Sequence, residues 1–126
     1  MTNKKILIIE DNALNLELVT DLLELHGFAV ASARTAEEGL RLARELLPAL
    51  VLMDFSLPGM DGLSATKNLK NDPATRHLAV VGLTANAMKG AQETALRAGC
   101  DGYMTKPIDT RTFATTVKNF IAGGSV

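Results

Sequence analysis

Asp54 closes an apolar run, Leu50-Val51-Leu52-Met53, and the chain then turns through Pro58-Gly59-Met60-Asp61-Gly62. A second apolar run, Ile6-Leu7-Ile8-Ile9, ends in Glu10-Asp11-Asn12. A third, Leu78 to Leu83, is followed by Thr84-Ala85, and Gly102-Tyr103-Met104 is followed by Thr105-Lys106-Pro107. Each member is ordinary alone: an Asp after a strand is usually a turn residue, and a lone lysine is usually solvated. Their joint occurrence at the ends of apolar runs is what points to chemistry. Three carboxylates within a few ångströms of one another repel and raise each other's pKa. A hard dication removes that conflict. Mg²⁺ takes oxygen ligands at about 2.0–2.1 Å, keeps several waters and is often shared with phosphate. His and Cys are missing from the set, which argues against zinc. Beside a cation, one carboxylate can act as a nucleophile toward phosphorus. The Lys106 ammonium, the Thr84 hydroxyl and the Ala85 main-chain N–H complete a set that could hold phosphoryl oxygens.

These groups meet only if the fold brings them together. Short apolar runs alternate with helical periods along the whole chain. Leu14, Leu18, Leu22 and Leu25 mark one face of a first helix, widened by Leu16, Val19 and Leu23, with Gly27 as its stop. Phe28 to Ala31 is a weak strand. Thr35-Ala36-Glu37-Glu38 is a capping box for a second helix that Pro48 ends. Leu63 to Asn71 and Met88 to Ala98 are further helices, the latter stopped by Gly99. Asp109 is expected to cap a last helix whose Phe113, Val117, Phe120 and Ile121 share a face. Five strand–helix units with strands apolar on both faces predict an α/β protein with a parallel sheet covered on both sides. Right-handed crossovers then place every strand's C-terminal end on one edge, where ligands bind in such sheets.

The 126 residues suit one compact domain, and a net charge of -1 offers no general attraction for nucleic acid or an anionic membrane. A single cysteine, Cys100, permits no internal disulfide and is expected to be buried. No run approaches the roughly 20 apolar residues of a membrane span, and a cytoplasmic location is the expectation.

The segments "ILIIEDN", "LVLMDFSLPGMDG", "VVGLTANA" and "YMTKP" together resemble the receiver domain of bacterial two-component response regulators, over the whole chain. "EDNALN" and "TANAMKG" are most similar to stand-alone cell-cycle regulators and hybrid-kinase receivers. The resemblance implies a flavodoxin-like (βα)5 three-layer sandwich of strand order 2-1-3-4-5, in residues 1–126, with no output domain. It implies that Asp54 accepts a phosphoryl group from a phosphohistidine of a sensor kinase or phosphotransfer protein. Asp11, Asp54 and the main-chain carbonyl of Ser56 would ligate Mg²⁺, with Glu10 acting through water. Lys106 would pair with the phosphate, and Thr84 and Tyr103 would form a switch. The Lys106–Pro107 bond would be cis.

Other readings of the residues stand beside this one. Aspartate-nucleophile hydrolases resembling haloacid dehalogenases carry a D-x-D pair after their first strand, where this chain has "EDN". A flavin or nucleotide site would need a phosphate-cradling loop after the first strand, and the acidic loop there repels phosphate without a metal. A receiver used as a phosphate-independent scaffold is a further possibility. Ser56 and Asn86, two positions beyond Asp54 and Thr84, give no clue to the lifetime of an aspartyl phosphate. No DNA-binding helix-turn-helix follows, so output is expected through a protein partner. Its expected surface is the fourth helix, fifth strand and fifth helix, with Met88, Lys89, Gln92, Tyr103, Arg111, Thr115 and Lys118 as candidates. The first helix, with Asn15 near the acidic edge, is the expected docking face for the phosphodonor.

Overall fold

Pairing along the apolar runs builds the centre of the molecule. The computed structural model describes residues 4–55, 62–84, 93, 96–106 and 108–122. In chain order the elements are β1 (Lys5–Ile9), α1 (Ala13–Leu25), β2 (Ala29–Ala33), α2 (Ala36–Leu46), β3 (Leu50–Asp54), α3 (Gly62–Asn71), β4 (Ala79–Thr84), β5 (Gly102–Thr105) and a C-terminal helix, α4 (Phe113–Ile121). The predicted helix from Met88 to Ala98 lies largely outside the described residues; Glu93, Leu96 and Arg97 are helical. All strand pairs are parallel, in the order β2-β1-β3-β4-β5.

Successive residues of each strand face opposite sides, so the sheet carries two cores. Leu7, Ile9, Val51, Met53 and Val80 pack with Ala36, Ala43, Ala65 and Leu69 of α2 and α3. Ile6, Ile8, Leu50, Leu52, Val81 and Leu83 pack with Val19 and Leu23 of α1 and with Phe113, Val117 and Phe120 of α4. Cys100 is buried, as expected. Burial pushes its thiol up to about 11.

Chain punctuation largely follows the predicted residues. Thr35 caps α2 by accepting the Glu38 N–H at 3.2 Å, and Asn12 caps α1 by accepting from Leu14 and Asn15 at 3.0 and 3.1 Å. Gly27 and Gly99 both take the left-handed conformation expected of helix stops. The end of α2 is less comfortable, because Leu47 adopts φ 46° before Pro48.

Three expectations need correcting. On α1 the buried residues are Val19 and Leu23, while Leu14 and Leu25 are each 78% exposed and Leu18 is exposed as well. The helix carries apolar residues around most of its circumference, so periodicity alone could not choose the inward side. The last helix begins at Phe113 behind Thr112, not behind Asp109. Asp109 instead forms a preceding turn, its carboxylate accepting from the Arg111 N–H at 3.0 Å and its carbonyl from Phe113 at 3.0 Å. Finally, β2 is Ala29–Ala33 rather than Phe28–Ala31, since its pairing with β1 carries through Ile9↔Ala33.

Candidate functional site

Parallel order delivers the ends of β1, β3, β4 and β5 to one edge. Register makes the delivery specific. Ile9 stands beside Met53, Asp54 beside Leu83, and Thr84 beside Thr105. The next residues after β1 and β5, Glu10 and Lys106, therefore flank Asp54.

The side chains converge. Lys106 Nζ lies 2.9 Å from Glu10 Oε1 and 3.2 Å from Asp54 Oδ1. Glu10 and Asp54 are each 1% exposed, and Asp11 lies nearer to solvent. Carboxylate oxygens of Glu10, Asp11 and Asp54 all lie within 4.8 Å of one another. Burial pushes the Glu10 carboxyl above its ordinary range, and its contact with Asp54 adds to this while the Lys106 ammonium opposes it. For Lys106, burial favours the neutral form, but Glu10 and Asp54 together outweigh it and hold the ammonium above its usual value.

Backbone contacts fix these positions. The Lys106 N–H donates to the Thr84 carbonyl at 2.7 Å, which ties the end of β5 to β4. The Phe55 N–H donates to the Leu83 carbonyl at 3.0 Å and extends the β3–β4 ladder past Asp54. Gly62 opens α3 directly against this corner. A Cβ there would stand 2.3 Å from the Asp54 carbonyl oxygen and 2.8 Å from Phe55 Cα. Gly82 on β4 similarly lies under the Phe55 ring, where a Cβ would meet Cζ at 2.0 Å. Glycine at both positions is a matter of space beside the end of β3.

The donor set suits Mg²⁺. Adjacent corners of an octahedron with Mg–O of about 2.1 Å are about 3 Å apart and opposite corners about 4.2 Å apart. Three all-oxygen donors already within 4.8 Å need only a small contraction to meet that geometry. Thr84 is buried at the end of β4, and Tyr103 is half-buried on β5. Ser56, Ala85 and Pro107 lie outside the described residues, as do Met88, Lys89 and Gln92. Arg111, Thr115 and Lys118 are exposed along or just before α4.

One contact at this edge was not anticipated. Arg34 Nη2 donates to the Asp11 main-chain carbonyl at 2.8 Å. The available signal was positional: Arg34 follows β2, and strand order places β2 beside β1.

The model of the response regulator receiver domain matches residues 6–118. The chain belongs to the response regulator receiver family. Polar-differentiation response regulator DivK of Brucella ovis is 44% identical over 118 residues, covering 94% of this chain and 96% of the relative. The DivK of Brucella abortus strain 2308 gives the same identity and coverage. Among solved structures, the receiver domain of a sensor histidine kinase from Pseudomonas aeruginosa superposes with a TM-score of 0.88 at 30% identity, covering 96% of this chain and 99% of that one. That protein has a magnesium ion coordinated in its active-site cleft. A CheY-like receiver from Methanospirillum hungatei gives a TM-score of 0.88 at 28% identity, covering 97% and 96%.

The receiver is a phosphoacceptor signalling domain with an acidic Mg²⁺-binding site, not a conventional enzyme. Receivers of this family interact with histidine kinases. Among the described residues, no helix is long and apolar enough to cross a membrane.

Proposed function

We propose that Asp54 is the phosphoacceptor of this receiver. An Asp54 carboxylate oxygen attacks the phosphorus of a phosphohistidine on a sensor kinase or phosphotransfer protein. The O–P bond forms as the N–P bond breaks, and the imidazole leaves with the electron pair. Asp11, Asp54 and the Ser56 main-chain carbonyl would hold Mg²⁺, with Glu10 acting through water; the bound ion would neutralise charge on the phosphoryl oxygens. Lys106 would pair with one of those oxygens, and Thr84 with the Ala85 N–H would hold another. The observation that carries this reading is the convergence of Glu10, Asp54 and Lys106 from three different strand ends at 2.9 and 3.2 Å.

The same reading extends to output. Thr84 and Tyr103 are proposed as the switch pair, since Thr84 ends β4 and Tyr103 sits one strand away, opposite Gly82. Phosphorylation need bias a two-state element by only a few kcal/mol to alter partner affinity. The proposed output surface is the face of β5, α4 and the helix preceding β5, and the proposed phosphodonor surface is α1 beside Asn15. Residues 1–126 are proposed to work as one receiver unit in the cytoplasm, where a histidine kinase has its ATP. The 44% identity to DivK supports a role in polar differentiation or the cell cycle.

The test is phosphoryl uptake from acetyl phosphate or a phosphorylated kinase domain, read by intact mass with and without Mg²⁺. Wild type should gain one phosphoryl group only with the metal. An Asp54→Asn protein that labels equally well would overturn the assignment.

A further inference from the structure

The acidic edge contains a cation that the phosphoacceptor chemistry does not use. Arg34 stands between β2 and α2, one residue past the Ile9↔Ala33 pair that ends the β1–β2 ladder. Its guanidinium crosses to β1's side of the junction and donates to the Asp11 carbonyl at 2.8 Å. On either side of Asp11 the chain is held by other means. The Glu10 N–H donates to the Ala33 carbonyl at 3.0 Å, and Asn12 caps α1. Asp11 is the link between the last rung of the ladder and the first turn of the helix, and Arg34 holds that link from the side. A guanidinium bound to a neutral carbonyl gives a charge-assisted bond and leaves the Asp11 carboxylate available for the cation.

We propose that Arg34 is a positioning residue of the metal site: it fixes the Asp11 peptide so that the Asp11 carboxylate stays converged with those of Glu10 and Asp54. This rests on reading those three acids as the cation site. Two effects of Arg34 on Mg²⁺ oppose one another, which makes the inference testable. As a nearby positive charge it repels the dication, so charge alone predicts tighter Mg²⁺ binding when it is removed. As a clamp it pre-organises a ligand, so its removal predicts weaker binding.

The experiment is calorimetric Mg²⁺ titration of wild type, Arg34→Ala, Arg34→Gln and Arg34→Lys, with a urea unfolding curve for each in magnesium-free buffer. Positioning predicts a Kd about fivefold higher in Arg34→Ala, the equivalent of one lost hydrogen bond. Arg34→Lys, which keeps a donor and the charge, should recover most of the loss. Urea midpoints should stay close to wild type, since the side chain is exposed and lies outside both cores. Equal or tighter Mg²⁺ binding in Arg34→Ala and Arg34→Gln would overturn the proposal. So would a loss in Arg34→Ala that tracks a fall in urea midpoint. Wild type that binds no Mg²⁺ would overturn the underlying assignment of the acids instead, and that result is separate from any difference among the variants.

Discussion

Removing the Lys106 ammonium should expose how much the acid cluster depends on it. In Lys106→Met, two carboxylates that are each 1% exposed lose a cation at 2.9 and 3.2 Å. The Lys106 side chain is itself 18% exposed, so solvent screening of these pairs is limited. Breaking a buried ion pair costs about 3–5 kcal/mol, but the variant has a cheaper escape. One carboxyl can take up a proton. At pH 7 that costs about 1.36 kcal/mol for each unit between 7 and an ordinary Glu pKa of about 4.3, or about 3.7 kcal/mol. The loss is therefore bounded at about 3–4 kcal/mol at pH 7 and at about 1 kcal/mol at pH 5. The sign follows from linkage. A carboxyl whose pKa is raised in the folded state contributes stability at low pH that is lost as pH climbs from the ordinary Glu range through the raised value. Glu10 is already raised in the wild type, and the variant raises the cluster further, so the difference between the proteins must grow with pH. Urea unfolding of both proteins at pH 5, 6 and 7 in magnesium-free buffer measures it. Millimolar Mg²⁺ should then stabilise the variant more than the wild type. A difference that is flat across this range, or below about 1 kcal/mol at pH 7, would refute the claim that the lysine compensates the buried acids.

Other expectations follow from single residues. Leu47→Gly should change stability by less than about 1 kcal/mol in urea unfolding, because relief of a left-handed leucine at φ 46° is offset by the lost burial of half its side chain and by the freedom glycine has in the unfolded chain. Gly62→Ala should cost about 1–3 kcal/mol and also weaken Mg²⁺ binding, since the atoms in its way are the Asp54 carbonyl and the Phe55 backbone. Cys100, with its thiol near 11, should react with iodoacetamide at pH 8 about a hundredfold more slowly in the folded protein than in urea, as followed by mass.

The strands were legible because runs such as Ile6–Ile9 and Leu50–Met53 have no polar face to place in water. The helix ends were legible where one residue type meets a strict steric or hydrogen-bonding need, as at Thr35, Gly27 and Gly99. The carboxylates and Lys106 were legible because topology, rather than side-chain detail, sends strand ends to one edge. What remained hidden depended on three-dimensional choice. The inward side of α1 is set by what it packs against, Ile6, Ile8 and α4, and not by its own leucines. β2 reaches Ala33 because β1 provides a partner, although "ASA" has little strand preference of its own. Asp109 and Thr112 are both plausible caps by type, and only the turn at Asp109 decides between them. Arg34 reads as one more surface arginine until β2 is known to lie beside β1.

Glu10, Asp54 and Lys106 come from strands one, three and five, and each reaches the shared corner only through the sheet between them. The cluster therefore cannot be assembled from any early portion of the chain. During synthesis, the chain through β5 must have left the ribosome before the lysine can meet its two acids. If Asp54 is the phosphoacceptor as proposed, a chain whose β5 has not yet joined the sheet lacks the lysine beside that carboxylate.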